Sequence, residues 1–180
     1  LDEVVAIIRG SSNPADARAK LLVKEWPIGD IAPYIRLVEA IEQRRFDAII
    51  CNLANPDMVG HTGDLSAAIR AAESIDAALG EIVAALRRVG GEMILTADHG
   101  NLAMLFLALG DYRRLDPETG QPHTAHTTGP VPLVYLGRPA TLAENGALKD
   151  VAPTLLHLLG IAPPAEMSGH NLVTFRPARA

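Results

Sequence analysis

Ala48-Ile49-Ile50-Cys51-Asn52-Leu53-Ala54-Asn55-Pro56-Asp57-Met58-Val59-Gly60-His61-Thr62-Gly63 opens as a buried strand and closes as a loop that carries chemistry. The run Ala48–Cys51 is short, continuous and rich in β-branched residues, the pattern of a strand covered on both faces. Asn55-Pro56 marks a turn, because proline disfavours a helical conformation in the residue before it. Asp57 and His61 follow, four residues apart, just past the end of the strand. In open α/β sheets this is where ligands gather. A carboxylate oxygen and a neutral imidazole nitrogen are common protein donors to Zn²⁺ and also suit Mn²⁺.

Downstream the period changes. From Asp64 to Val89, Leu65, Ala68, Ile69, Ala72, Ile75, Leu79, Ile82, Val83 and Leu86 recur at helical spacing, with Arg87 and Arg88 in the last turn and Gly90-Gly91 as the stop. Met93–Thr96 is the next buried strand. Residues 48–97 therefore predict a β-helix-β unit with a right-handed crossover. The second strand runs into Ala97-Asp98-His99-Gly100-Asn101, so two parallel strands should deliver two Asp/His sets to one sheet edge.

Upstream, a helix is expected from about residue 31 or 33 to Arg44, capped by Asp30, with Tyr34, Leu37, Val38 and Ile41 on one face. Residues 1–9 suit a helix or a strand equally, and Leu21–Val23 suits a short strand. Beyond Asn101, Leu102–Leu109 is apolar and predicts a helix. Residues 111–121 are polar and rich in turn signals. His123-Thr124-Ala125-His126-Thr127-Thr128 adds two imidazoles before a third strand over Val131–Leu136. Asp150 is placed to cap a last helix, Val151–Leu159, which Gly160 ends. The tail, with Pro163, Pro164 and Pro177, is expected to wrap the surface. No internal repeat is visible. Three segments are expected: 1–30, weakly patterned; 31–175, the metal-binding domain; and 176–180, a tail.

The 180 residues suffice for one domain with a sizeable core. With 48% apolar and 21% charged residues the composition is that of a folded globule. A net charge of −5 argues against nucleic acid as a partner, since phosphate neutralisation needs a basic face. No apolar run approaches the roughly 20 residues of a membrane helix, so no membrane partner is expected. No signal peptide is visible, and the first residue is not Met, which suggests a chain cut from something longer. The single Cys51 lies in the apolar run as an inert core thiol. The cytoplasm is the expected compartment.

Asp57, His61, Asp98, His99 and His126, with His123 as a sixth candidate, come from three loops. Taken singly, Asp98 could cap the next turn and His99 could be a satisfied core histidine. Jointly, donors of these types are explained more simply by two divalent ions about 4 Å apart, which clamp the attacking and leaving oxygens of a phosphoryl transfer.

Several segments together resemble a known family: Leu37-Val38-Glu39-Ala40-Ile41-Glu42, Phe46-Asp47, Asn55-Pro56-Asp57-Met58-Val59-Gly60-His61-Thr62-Gly63, Thr96-Ala97-Asp98-His99-Gly100-Asn101, Asp116-Pro117-Glu118-Thr119-Gly120, His123–Thr128 and Asp150-Val151-Ala152-Pro153-Thr154. They are similar to the C-terminal part of cofactor-independent (2,3-bisphosphoglycerate-independent) phosphoglycerate mutase, of the alkaline phosphatase superfamily. The resemblance runs in order from about residue 37 to 173. It implies an α/β fold, a mainly parallel sheet with helices on both faces, here incomplete. It also implies interconversion of 3- and 2-phosphoglycerate in glycolysis through a phosphoserine, on two Mn²⁺ ions, by an enzyme monomeric in its full-length form. Asp57, His61 and His126 would complete one Mn²⁺ site, and Asp98 with His99 would form part of the other. His123 would stand behind the ligands.

The chain also departs from that family. The second metal needs an Asp from an N-terminal strand and a nucleophilic Ser on the loop after it, and neither motif is present. Ser66 and Ser74 fall inside the long helix, Ser168 falls in the tail, and Ser11 and Ser12 follow Arg9 rather than an acidic residue. The transferase domain that presents arginines to substrate is absent, and residues 102–114 read as an apolar insertion. The chain is thus expected to be a fragment or truncated form without a nucleophile, inactive alone as a mutase. The alternatives are a metal-dependent phosphohydrolase, in which water attacks directly, and a non-catalytic metal-binding domain.

Overall fold

Two apolar runs form the middle of the molecule and set the site's position. The computed structural model describes residues 3–7, 21–25, 32–53, 55–62, 64–100 and 129–177. In chain order the elements are β1 (Glu3–Ile7), β2 (Leu21–Glu25), α1 (Ala32–Glu42), β3 (Ala48–Asn52), α2 (Asn55–Gly60) and α3 (Leu65–Val89). After them come β4 (Glu92–Thr96), β5 (Leu133–Leu136), β6 (Ala140–Leu142), a 3₁₀ turn (Leu148–Asp150), α4 (Val151–Leu159) and β7 (Val173–Phe175).

Side-chain alternation along β3 and β4 divides the core between the two sheet faces. Ile49, Cys51, Met93 and Leu95 pack with Leu37 and Ile41 of α1 and with Ile82 and Leu86 of α3. Ile94 meets Leu158 of α4 and Val173 of β7 on the opposite face, with Ile50 half-buried beside them. Helices thus cover both faces, as expected. Ile69, placed by its spacing in the apolar stripe of α3, is instead exposed.

The long helix is stopped at Gly90-Gly91 as its sequence predicts, and its start carries a side-chain cap that was not predicted. The Asp64 carboxylate accepts the N–H groups of Ser66 and Ala67, at 2.9 and 3.1 Å. At the other end Gly90 adopts φ +68, and the Gly91 N–H bonds the Leu86 carbonyl at 2.8 Å. That left-handed cap is readily open only to glycine.

Among the described strands the sheet is mixed rather than mainly parallel. Their order is β2-β3-β1-β4-β5, and among them β2 with β3 is the one parallel pairing; β1 runs antiparallel to both β3 and β4, and β5 antiparallel to β4. The β-helix-β alternation correctly implied that β3 and β4 point the same way. It gave no notice that β1, whose residues suited helix or strand equally, would lie between them in the opposite sense. Strand direction is set by pairing partners rather than by local composition, and mixed sheets are common.

Two further elements differ from expectation. Residues 55–60 form a helix rather than a loop, with Pro56 in its first turn, where the missing N–H costs nothing. The tail does not merely wrap the surface: β7 pairs with β6, and Leu172 and Val173 are buried.

Glu92, at the start of β4, anchors the β5–β6 turn. Its buried carboxylate accepts the Tyr135 hydroxyl at 2.7 Å, Arg138 Nε at 2.6 Å, Arg138 Nη2 at 3.0 Å and the Arg138 N–H at 3.2 Å. Burial pushes this carboxyl up, but the Arg138 and Tyr135 donors more than offset that, so it sits below the usual glutamate range. The Tyr135 hydroxyl is pushed up to about 12, by burial and by the bond it donates to Glu92. Arg138 lies over the Phe175 ring at 3.8 Å, and Phe175 stacks on His157 at 5.5 Å.

Candidate metal centre

The centre begins where β3 and β4 end. The first helical turn after β3 presents Asp57, and the backbone bond from the His61 N–H to the Asp57 carbonyl, 3.1 Å, continues the helical path to His61. Residues four apart on a helix share a face. His61 Nε2 accordingly lies 3.3 Å from Asp57 Oδ2. From the end of β4, His99 reaches toward the same carboxylate: His99 Nε2 is 4.0 Å from Asp57 Oδ1 and 3.6 Å from Asp98 Oδ1. Four donors predicted from two separate loops therefore form one connected group. The Asp57 and His99 side chains are 18% and 20% exposed, against 42% and 46% for His61 and Asp98, so the group is sunk at one side and open at the other.

Register places further polar residues in the same row. Asn52, Glu3 and Thr96 are aligned across β3, β1 and β4 at the edge that delivers the group. The Asn52 Oδ1 atom is buried with no hydrogen-bond partner among the described residues. A cleft of about 560 Å³ opens beside the group, lined by Thr96, Asp98 and His99 together with residues of the 143–148 loop.

The donors fit a divalent ion in kind: two carboxylates and two imidazoles at one sheet edge. Among the described residues no group of three or more is arranged as a metal cage. His123 and His126 lie outside the described residues, as do Ser11, Ser12 and the 102–114 segment. The helix serines are engaged locally: the Ser66 hydroxyl donates to Asp64 at 2.7 Å and that of Ser74 to the Arg70 carbonyl at 2.8 Å. Among the described residues no helix is long and apolar enough to cross a membrane.

Residues 32–163, which contain all of these donors, match the metalloenzyme superfamily. The chain belongs to that superfamily. Among superfamily relatives, the 2,3-bisphosphoglycerate-independent phosphoglycerate mutase of Shewanella amazonensis is 44% identical over 176 residues, covering 93% of this chain and 33% of that protein. The enzyme of the same name from Saccharophagus degradans is 54% identical over 141 residues, covering 78% of this chain and 26% of that protein. A solved structure of Leishmania mexicana phosphoglycerate mutase, determined at low cobalt concentration, superposes with a TM-score of 0.67 at 30% identity. It covers 81% of this chain and 28% of the Leishmania chain. The chain thus spans about a quarter to a third of the relatives it matches.

One site-associated residue was misread from sequence. Asp150 occupies the first position before α4, but its side chain makes no bond to that helix. Its carboxylate turns instead to the Ala147 and His170 N–H groups. Spacing could not reveal this, because the His170 partner is twenty residues away.

Proposed function

We propose that this chain is the metal-holding part of a phosphoglycerate mutase that interconverts 3- and 2-phosphoglycerate through a phosphoserine, acting in the cytoplasm and monomeric at full length. The observation that carries the reading is the convergence of Asp57, His61, Asp98 and His99 on one edge beside a cleft, together with the shared name of the relatives. Asp57, His61 and His126 would hold one Mn²⁺, and Asp98 with His99 would hold the second. When bound, such ions neutralise charge on a phosphoryl group and polarise its oxygens.

The chain's own residues set the rest. Asp57 stands between His61 and His99, at 3.3 and 4.0 Å, and so would link the two sets of donors. His61 and His99 present Nε2 toward that carboxylate, at 3.3 and 4.0 Å, so these nitrogens would be the ones to meet an ion held there. The cleft beside them admits a small phosphate ester, and among the described residues no lysine or arginine lines it. Charge on the substrate would be met in part by the ions. None of the serines of this chain is assigned as the phosphoryl carrier.

Two assays on the purified chain with Mn²⁺ test the reading: mutase turnover and hydrolysis of an activated aryl phosphate. The expected result is no mutase turnover and slow hydrolysis that disappears in His61→Ala. Mutase activity abolished by Ser12→Ala would place the nucleophile in this chain after all. Absence of both activities with Mn²⁺ bound would favour a non-catalytic metal-binding domain.

A further inference from the structure

The 143–148 wall of the cleft that Asp98 and His99 also line has little burial to hold it. Residues 141–149 are all exposed, and Leu148 is 49% exposed. A surface segment of this kind ordinarily opens at low cost. Here polar ties locate it instead. Asp150, 4% exposed, accepts the Ala147 N–H on Oδ2 and the His170 N–H on Oδ1, each at 2.8 Å. Thr154, 1% exposed, donates its hydroxyl to the Asp150 carbonyl at 2.6 Å and accepts the Leu172 N–H at 2.9 Å. The Leu172 carbonyl in turn accepts the Ala143 N–H at 2.8 Å. Two side chains on one helix turn thus bind the cleft wall to a strap over residues 169–172.

The strap can come this close only because position 169 is glycine: a Cβ there would collide with the Lys149 carbonyl oxygen. Gly146 is similarly tight, since a Cβ would stand 2.7 Å from a Leu172 methyl. The bonds from His170 and Ala147 hold the Asp150 carboxyl below the usual aspartate range, so it is ionised and acceptor-only at neutral pH.

Resting on the phosphoester reading above, we propose that Asp150 and Thr154 are positioning residues for the cleft. They fix the 143–148 wall of the cleft that Asp98 and His99 also line, so that a bound phosphoglycerate meets a preformed surface, and they touch neither ligand nor metal. Preorganisation of this kind is worth affinity because the loop need not be ordered on binding.

The test uses the full chain with Mn²⁺ and two shape-conserving variants, Asp150→Asn and Thr154→Val. Asparagine offers one acceptor where two N–H groups need one each, and valine removes both bonds of the threonine hydroxyl. Three quantities are measured well below the melting temperature: amide exchange by residue, the Kd for 3-phosphoglycerate, and the Kd for Mn²⁺. In Asp150→Asn the Ala147 and His170 amides should exchange at least about tenfold faster, and in Thr154→Val the Leu172 amide should do so. Each increase should exceed that of the slowest amides of β4 and α3, which report global opening. The Kd for 3-phosphoglycerate should rise about tenfold while that for Mn²⁺ stays within about twofold. Wall amides that accelerate only as much as the slowest core amides, or phosphoglycerate affinity unchanged despite local acceleration, would overturn the proposal. If the wild-type chain binds no phosphoglycerate, the functional reading fails, and the exchange pattern alone decides whether the strap fixes the wall.

Discussion

The two ends of β4 carry acidic residues in opposite circumstances. At its start, Glu92 is buried and receives four hydrogen bonds at 2.6 to 3.2 Å from Tyr135 and Arg138. Just past its end, Asp98 is 46% exposed and meets His99 at 3.6 Å, while His99 meets Asp57 at 4.0 Å. The first arrangement closes on itself and ties the β5–β6 turn to the sheet. The second brings acids and imidazoles together at 3.3 to 4.0 Å on an open edge, residue types that can share an ion. A carboxylate saturated by protein donors serves the fold, and one beside an open cleft can serve a ligand.

The largest effect should come from the middle of the strand, where both ends are supported. Ile94 is 1% exposed and joins the α4 side of the core. Ile94→Ala should cost about 4 kcal/mol, within the usual range for a buried isoleucine cut to alanine, and should weaken folding and metal binding together. A loss below about 1 kcal/mol in denaturant unfolding would mean that Ile94 is not in the core.

A somewhat smaller effect is expected at the start of the strand alone. Arg138→Met strips the buried Glu92 carboxylate of two of its four donors, Nε and Nη2. The main-chain donor survives in the variant, and Arg138 is 42% exposed, so water can partly take its place. The cost should be about 3 kcal/mol, at the low end for a broken buried pair. Metal binding by the folded variant should be unchanged; a loss of metal affinity without unfolding would erase the distinction between the two ends.

How far the sequence anticipated this contrast follows from what each feature depends on. β3, α3 and β4 were legible because apolar runs and a 3.6-residue period are local signals. Asp57, His61, Asp98 and His99 were legible because they follow those runs directly. The sense of β1 was not legible, since it depends on pairing with two strands more than forty residues away. Glu92 went unnoticed because its partner Arg138 lies 46 residues on and no short motif links them. The helical turn at 55–60 was hidden by reading Asn-Pro as a stop, although proline also opens helices. His126 remains an expectation from sequence.

A still smaller effect should appear with pH. The Tyr135 hydroxyl is raised to about 12 from an ordinary value of 10. Its contribution is therefore complete below about pH 10 and is lost as pH rises from there through about 12. Glu92 is shifted the other way, so its contribution is complete above its ordinary value of 4.5 and is lost as pH falls below it. Melting temperature against pH should show the alkaline decline in the wild type and a shallower one in Tyr135→Phe. Identical alkaline slopes would remove Tyr135 from the Glu92 cluster.

The contrast between the two ends is tested most directly by Mn²⁺ titration of the wild type, His61→Ala, Asp98→Asn and Arg138→Met, each confirmed folded by its melting transition. The wild type should bind one ion much more tightly than a second. His61→Ala should lose the tight ion and Asp98→Asn the weaker one, with stability changed by no more than about 0.5 kcal/mol in either. Arg138→Met should bind as the wild type does. Unaltered Mn²⁺ binding in both His61→Ala and Asp98→Asn would contradict the account, because the open end of β4 would then not be where the metal sits.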